Sequence, residues 1–228
     1  MFWNSIQPLV NQVKVISAPG NKPVSLSELP KELELVGTGT DAAVLRHVSL
    51  PDVVFKVFAE ERKKVLQDEW QVYRCLKGLP FFPVCYGCTD HFLVLSYEPG
   101  ITLYDCLVQG VPITEEVVNQ VEQIRKEVRN RGLNPRDIHL KNIILQEDRV
   151  KLLDVSEYMK PGDDHRWDDL VQAYRLFYSM IPRKKLPVQL IEQIKEAYMD
   201  REGGSSSIFE FGRRFIHLIK PGNHKVNP

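Results

Sequence analysis

The sequence predicts an α+β chain in two parts: a small antiparallel five-stranded sheet carrying one helix, then a mainly helical region. Three observations carry that expectation. Short runs rich in β-branched and aromatic residues crowd between positions 33 and 97. One stretch with apolar residues at three- and four-residue steps interrupts them. After Glu98-Pro99-Gly100 the spacing turns mainly helical, which marks a boundary between lobes. A chain of 228 residues is long enough for one domain or two closely packed lobes.

Residues 1–30 are broken by Pro8, Pro19, Gly20, Pro23 and Pro30 and read as an N-terminal extension. Residues 31–98 form the first lobe. Residues 33–36 and 43–48 flank Gly37-Thr38-Gly39-Thr40, as in a hairpin with a glycine-containing turn. A third strand covers 53–58. The spacing of Leu66, Trp70, Tyr73 and Leu76 predicts a helix over 60–76, and residues 84–86 and 92–95 supply two more strands. Residues 99–228 form the second lobe. There Val117, Val121, Ile124 and Val128 predict a helix ending at Gly132, and a hairpin over 143–153 turns at Glu147-Asp148-Arg149. Trp167, Leu170, Val171, Tyr174, Phe177, Tyr178 and Ile181 predict a buried helix. Two shorter helices, over 188–199 and 208–219, are joined by Gly203-Gly204-Ser205-Ser206-Ser207.

Composition excludes several classes. Lys plus Arg and Asp plus Glu number 30 each, so net charge argues for neither nucleic acid nor a membrane surface as partner. Arg213, Arg214, Lys220 and Lys225 make a mildly basic end, read as a solvated face. No apolar run approaches the roughly 18 residues that span a bilayer. Met1-Phe2-Trp3-Asn4-Ser5 lacks the basic segment and apolar run of a signal peptide, so a cytoplasmic protein is expected. Cys85 and Cys88 have the spacing of a metal pair, but no second pair completes a zinc site. Cys75, Cys85, Cys88 and Cys106 are read as thiols in a reducing compartment.

Several side chains suggest chemistry. Glycines in the turn over Val36-Gly37-Thr38-Gly39-Thr40 let backbone N–H groups approach phosphate oxygens, although the same pattern is also a plain tight turn. Lys56 alternates with Val54 and Phe58, so its ammonium lies where an apolar residue is expected. A buried charge needs a partner or an anionic ligand; the alternative is an edge lysine reaching water. Glu69 falls on the apolar arc of the following helix, whereas Asp68 faces away, which suggests a Lys56–Glu69 ion pair. Further on, Asp137 and Asn142 stand five residues apart in a loop, and Asp154 closes the strand twelve residues later. The hairpin is expected to bring the three oxygen-bearing side chains together. Hard cations such as Mg²⁺ take such ligands beside phosphates, and an aspartate can accept a proton from an attacking hydroxyl.

Glycine turn, strand lysine, helix glutamate, lobe boundary, Asp-x-x-x-x-Asn loop and strand-terminal Asp follow one another in that order. In this the chain resembles small bacterial serine/threonine kinase-like proteins of the eukaryotic-type protein kinase superfamily, over residues 33–180. The resemblance implies a two-lobed kinase fold with a shortened second lobe, and ATP and Mg²⁺ as substrate and cofactor. It implies that Val36, Gly37, Thr38, Gly39, Thr40 and Val44 line the nucleotide and that Lys56, held by Glu69, grips its α- and β-phosphates. The backbone near Tyr97 receives adenine, Asp137 is the catalytic base, and Asn142 and Asp154 bind the metal. Asp168 or Asp169 matches the aspartate opening the central helix of the second lobe. The acceptor implied is a protein Ser or Thr hydroxyl.

The chain departs from the family pattern in places. Ala42 replaces the third loop glycine, Pro135-Arg136-Asp137 stands for His-Arg-Asp, and Asp154-Val155-Ser156 for Asp-Phe-Gly. His139, two residues after Asp137, is similar to the corresponding residue of aminoglycoside and choline phosphotransferases. The stretch from Asp154 to Trp167 is short and has no Ala-Pro-Glu signature, so the usual peptide-docking platform is expected to be missing. A small-molecule kinase and a nucleotide-binding pseudokinase are therefore the alternatives.

Overall fold

The structure, a computed structural model, describes residues 1–20, 22–200 and 207–219. Gly203, Gly204, Ser205 and Ser206 of the expected connector, with Lys220 and Lys225, lie outside the described residues. Two compact units divide the chain. The first comprises Met1–Pro99, Arg125–Pro135 and Lys151–Gly162; the second comprises Gly100–Ile124, Arg136–Val150 and the described residues from Asp163 onward.

The first unit opens with α1 (Gln7–Val10) and a short pair of strands, β1 (Val15–Ile16) and β2 (Ser25–Leu26). Then come β3 (Leu33–Thr38), β4 (Ala42–His47) and β5 (Val53–Phe58), the helix α2 (Lys63–Leu76), β6 (Cys85–Cys88) and β7 (Phe92–Ser96). The five longer strands form one antiparallel sheet in the order β3-β4-β5-β7-β6. Period-two alternation sorts its side chains onto two faces. Ala43, Leu45, Val53, Phe55, Val57, Phe92 and Val94 share one face, and against it pack Trp3, Val10, Val13, Val15 and Val24. The first thirty residues thus supply five of the fourteen buried residues of this core layer. The Gly87 backbone admits the Trp3 indole closely, since a Cβ there would lie 2.7 Å from the ring.

Helix α2 packs on β6 and β7. Leu66, Tyr73 and Leu76 are buried as the spacing predicts, Trp70 stays half-buried, and Val72, outside the predicted stripe, is buried as well. The chain leaves α2 at Lys77, whose ψ of 130° is extended, and Gly78, at φ +89°, completes the turn in which the Leu79 N–H donates to the Leu76 carbonyl.

The second unit contains β8 (Ile101–Thr102) and α3 (Leu103–Gln109). Thr102 caps α3 by accepting from the Asp105 N–H at 3.0 Å. The sequence reading did not anticipate this short helix. Helix α4 (Glu115–Asn130) buries Val117, Val121, Ile124 and Val128. Strands β9 (Ile143–Gln146) and β10 (Arg149–Leu152) join β8 in the order β10-β9-β8. Helix α5 (Arg166–Phe177) tightens into a 3₁₀ turn over Tyr178–Met180 and so stops short of Ile181, which precedes Pro182 and is extended. Helix α6 (Val188–Met199) covers the expected span. The last expected helix divides into α7 (Ile208–Arg213) and α8 (Ile216–Ile219). Among the described residues no helix is long and apolar enough to cross a membrane.

Candidate functional site

In the first unit the central strand β5 places Lys56 on the sheet face opposite the N-terminal segment, beside Phe58, whose ring centroid lies 5.5 Å from Nζ. Helix α2 brings Glu69, completely buried, to the same point. Lys56 Nζ donates to Glu69 Oε1 at 2.7 Å and Oε2 at 2.8 Å, so the ion pair expected from the helical arc forms. Asp154, in the segment after β10, adds a second carboxylate with Oδ1 3.3 Å from Nζ. Burial by itself would lower the Lys56 pKa, but Asp154 and Glu69 together outweigh it and hold the ammonium firmly charged. Burial pushes the Glu69 carboxyl up to about 7, with Lys56 offsetting part of the effect. Burial also acts to raise Asp154; Lys56 and hydrogen bonds from Ser156 overcome it and hold this carboxyl below its ordinary range.

The turn between β3 and β4 lies in the same unit. Neither Gly37 nor Gly39 has a positive φ, and a Cβ on Gly37 would meet nothing within 4 Å. Nothing among the described residues therefore requires glycine at these positions. Val36, Thr38 and Thr40 are exposed, while Ala42 is buried at the start of β4. Val44 is half-buried and pairs with Lys56 across the β4–β5 ladder. At the end of β7, Tyr97 stacks under the Arg46 guanidinium at 4.5 Å and donates its N–H to the Asp52 carbonyl.

The second unit holds Asp137 and Asn142 on the loop before β9. Asp137 takes φ +53°, a conformation that strains most side chains and that aspartate tolerates better than most. Its N–H donates to Asp164 Oδ2 at 2.6 Å, and its carbonyl accepts from Asn142 Nδ2 at 3.2 Å. Its carboxylate pairs with Arg166, and His139 Nε2 lies 3.9 Å from Oδ1. Asp137 is thereby held at its N–H, its carbonyl and its side chain. Sequence reasoning missed Arg166 and Asp164. Only the charged run Asp163-Asp164-His165-Arg166 hinted at them, and such a run ordinarily reads as solvent-facing. Asp168 and Asp169 both lie in the first turn of α5, and Asp169 accepts a bond from the Tyr198 hydroxyl at 2.8 Å. The predicted residues thus fall into two groups, Lys56, Glu69 and Asp154 in one unit and Asp137 and Asn142 in the other.

Comparison with known proteins places the chain in a family. The "Putative serine/threonine-protein kinase YrzF" of Bacillus subtilis (strain 168) is 35% identical over 179 residues, which cover 76% of this chain and 82% of that protein. The chain belongs to the protein-kinase-like superfamily. Its α+β architecture, a five-stranded antiparallel sheet with one helix and a mainly helical remainder, is the one expected. No family model matches the chain. Solved structures of WbdD align over most of its length at low identity. One, a co-crystal structure with the kinase inhibitor LY294002, gives a TM-score of 0.46 at 15% identity over 95% of this chain and 55% of that one. Another, of the bifunctional kinase-methyltransferase WbdD, gives 0.45 at 16% over 83% of this chain and 45% of that one. The chain therefore spans about half the length of those solved proteins.

Proposed function

We propose that the protein transfers the γ-phosphoryl group of Mg²⁺-bound ATP to a hydroxyl group, with protein Ser or Thr as the acceptor. The observation that carries this reading is the charged Lys56 held between Glu69 and Asp154 on a sheet face. Two carboxylates on one ammonium keep it protonated and oriented, the state in which a lysine grips phosphate oxygens. The open space at Gly37 supports phosphate approach to the turn formed by Val36, Gly37, Thr38, Gly39 and Thr40. Val44 and the backbone around Tyr97 would contact the base.

Asn142 and Asp154 suit a hard cation. The Asn142 amide nitrogen is turned to the Asp137 carbonyl, so its oxygen remains an acceptor. The Asp154 side chain is 36% exposed, and the bonds to Lys56 and the Ser156 N–H use only Oδ1. Mg²⁺ held by Asp154 would neutralise charge on the phosphate oxygens. Asp137, fixed at backbone and side chain, would receive the acceptor's proton, and Arg166 would hold its carboxylate in register. The acceptor class is supported by the name of the Bacillus relative. A cytoplasmic setting fits the free thiols of Cys75, Cys85, Cys88 and Cys106.

A second reading, transfer to a small hydroxyl compound, is favoured by His139 lying beside Asp137 and by the short span from Asp154 to α5. Labelled Mg·ATP separates the two, offered with generic protein acceptors and a panel of small alcohols. Label on protein that Asp137→Asn and Asp154→Asn both abolish is the expected result. Label on a small compound replaces the acceptor class. Nucleotide binding without transfer to any acceptor would identify a pseudokinase.

A further inference from the structure

The first thirty residues do more than cover the sheet. Strand β3 is an edge strand, and of its six residues only Leu33 is buried. An exposed turn at the end of such a strand has little packing to hold it, and its peptide groups would sample several orientations. Here both ends of the tip are tied. The Val24 N–H donates to the Gly39 carbonyl at 2.8 Å. The Ala59 N–H donates to the Asp41 carbonyl at 3.0 Å, and the Asp41 carboxylate pairs with Arg62 Nε at 3.0 Å.

Val24 is itself well anchored. Its side chain is 5% exposed within the core layer that joins Val10, Val13 and Val15 to Ala43, Leu45 and Phe55. The β1–β2 pairing, Val15 with Leu26 and Ile16 with Ser25, fixes the chain on either side of the Pro19-Gly20 excursion. The Lys14 N–H donates to the Ser27 hydroxyl and the Ser27 N–H to the Lys14 carbonyl, which closes the base of the same pair.

A trans peptide is planar, and its C=O and N–H point in opposite directions. Turning the Gly39 carbonyl toward Val24 therefore turns the Thr40 N–H away from the N-terminal segment. That N–H has no acceptor among the described residues. Glycine at 39 leaves the peptide uncrowded, with the Ala42 carbonyl, among the described residues, as the sole neighbour of an added Cβ, at 3.6 Å.

We infer that residues 14–20 and 22–27 are a strap whose Val24 N–H positions the Gly39–Thr40 peptide so that the Thr40 N–H is presented to a nucleotide phosphate. This rests on the proposed nucleotide role of the turn. Val24 is a positioning residue: it touches no ligand and acts through Gly39.

Val24→Pro removes the donor while keeping a buried apolar ring, and Val24→Ile keeps both donor and bulk. Calorimetry with two probes, Mg·ATP and adenosine, tests the strap. The expected result is about tenfold weaker Mg·ATP binding in Val24→Pro, with adenosine affinity unchanged and Val24→Ile matching wild type. A general packing defect would weaken both probes together, and that outcome, or no weakening of either, overturns the strap. A second measurement needs no variant: in ¹⁵N spectra of the wild type, the Thr40 amide should shift on adding Mg·ATP and stay in place with adenosine. A Thr40 amide that moves equally with both, or with neither, also overturns the inference. Wild type that binds adenosine and Mg·ATP not at all sinks the phosphotransfer reading and the strap with it. Wild type that binds both, with Val24→Pro unaltered, removes the strap alone.

Discussion

At the scale of single residues, the Lys56–Glu69–Asp154 group sets the strongest energetic constraints. Glu69 is completely buried and its carboxyl titrates near 7, well above the 4.5 of an exposed glutamate. Its folded form therefore binds a proton more tightly than its unfolded form. The stability this adds is fully present below about pH 4.5 and is lost as pH rises through about 7. The Asp154 shift acts only at lower pH and the Lys56 shift only at much higher pH, so neither cancels it in that window. Urea midpoints of the wild type should fall between pH 5 and pH 8, by no more than about 3 kcal/mol in stability, and Glu69→Gln should flatten the fall. Lys56→Met leaves Glu69 buried with no cation. We expect a loss of about 3–5 kcal/mol at pH 8 and a smaller one at pH 5, where Glu69 can be buried neutral; denaturation of the variant at the two pH values checks this.

The pairing of Lys56 with Glu69 was legible in the sequence, because a strand and a helix each publish their facing residues through periodicity. Arg166 and Asp164 were not. They reach Asp137 from a loop, where no period tells which side chain turns inward, and Asp137 itself sits at a positive φ that spacing does not announce.

At the scale of elements, the N-terminal segment differs most from the impression its sequence leaves. Five prolines and glycines in residues 8–30 suggest loose chain, yet Trp3, Val10, Val13, Val15 and Val24 are all at most 8% exposed. The contact of Trp3 with Gly87 gives a direct test. A methyl group on Gly87 would stand 2.7 Å from the indole, and the ring is held by edge-on packing against Phe92. Gly87→Ala should cost about 1–3 kcal/mol by crowding. Trp3→Ala should cost about 3–5 kcal/mol by leaving a cavity. Because the smaller residue at 3 relieves the clash at 87, the double variant should lose less than the sum; a thermodynamic cycle from urea denaturation measures the difference. Helix α3 escaped notice for a related reason. Seven residues hold too few apolar positions to establish a period, and the Thr102 cap and Gly110, at φ +83°, stand out only once the helix is seen.

At the scale of the whole molecule, nucleotide binding should couple to stability. If Mg·ATP binds the folded chain alone, saturation at a hundred times Kd adds about 2.7 kcal/mol. For a chain of this length that corresponds to roughly 5–10 °C in Tm. Asp137→Asn should keep the shift, because the proposed base is not needed for binding. Asp154→Asn should lose its dependence on Mg²⁺, and calorimetric scans with Mg²⁺ present and chelated distinguish the two.

The sequence alone determined the class of this protein. Residues of the kinds expected to serve phosphate, metal and proton transfer appear in one linear order, and strand and helix periods place them on their elements, so a chain read one residue at a time already names its superfamily. Tertiary structure decided what the period cannot carry. It set which irregular segments are core and which charged loop residues hold Asp137, and it gave the turn at Gly37 and Gly39 its ties. The reason is physical: local periodicity encodes which face a residue takes, whereas contacts between segments far apart in sequence depend on how those faces dock.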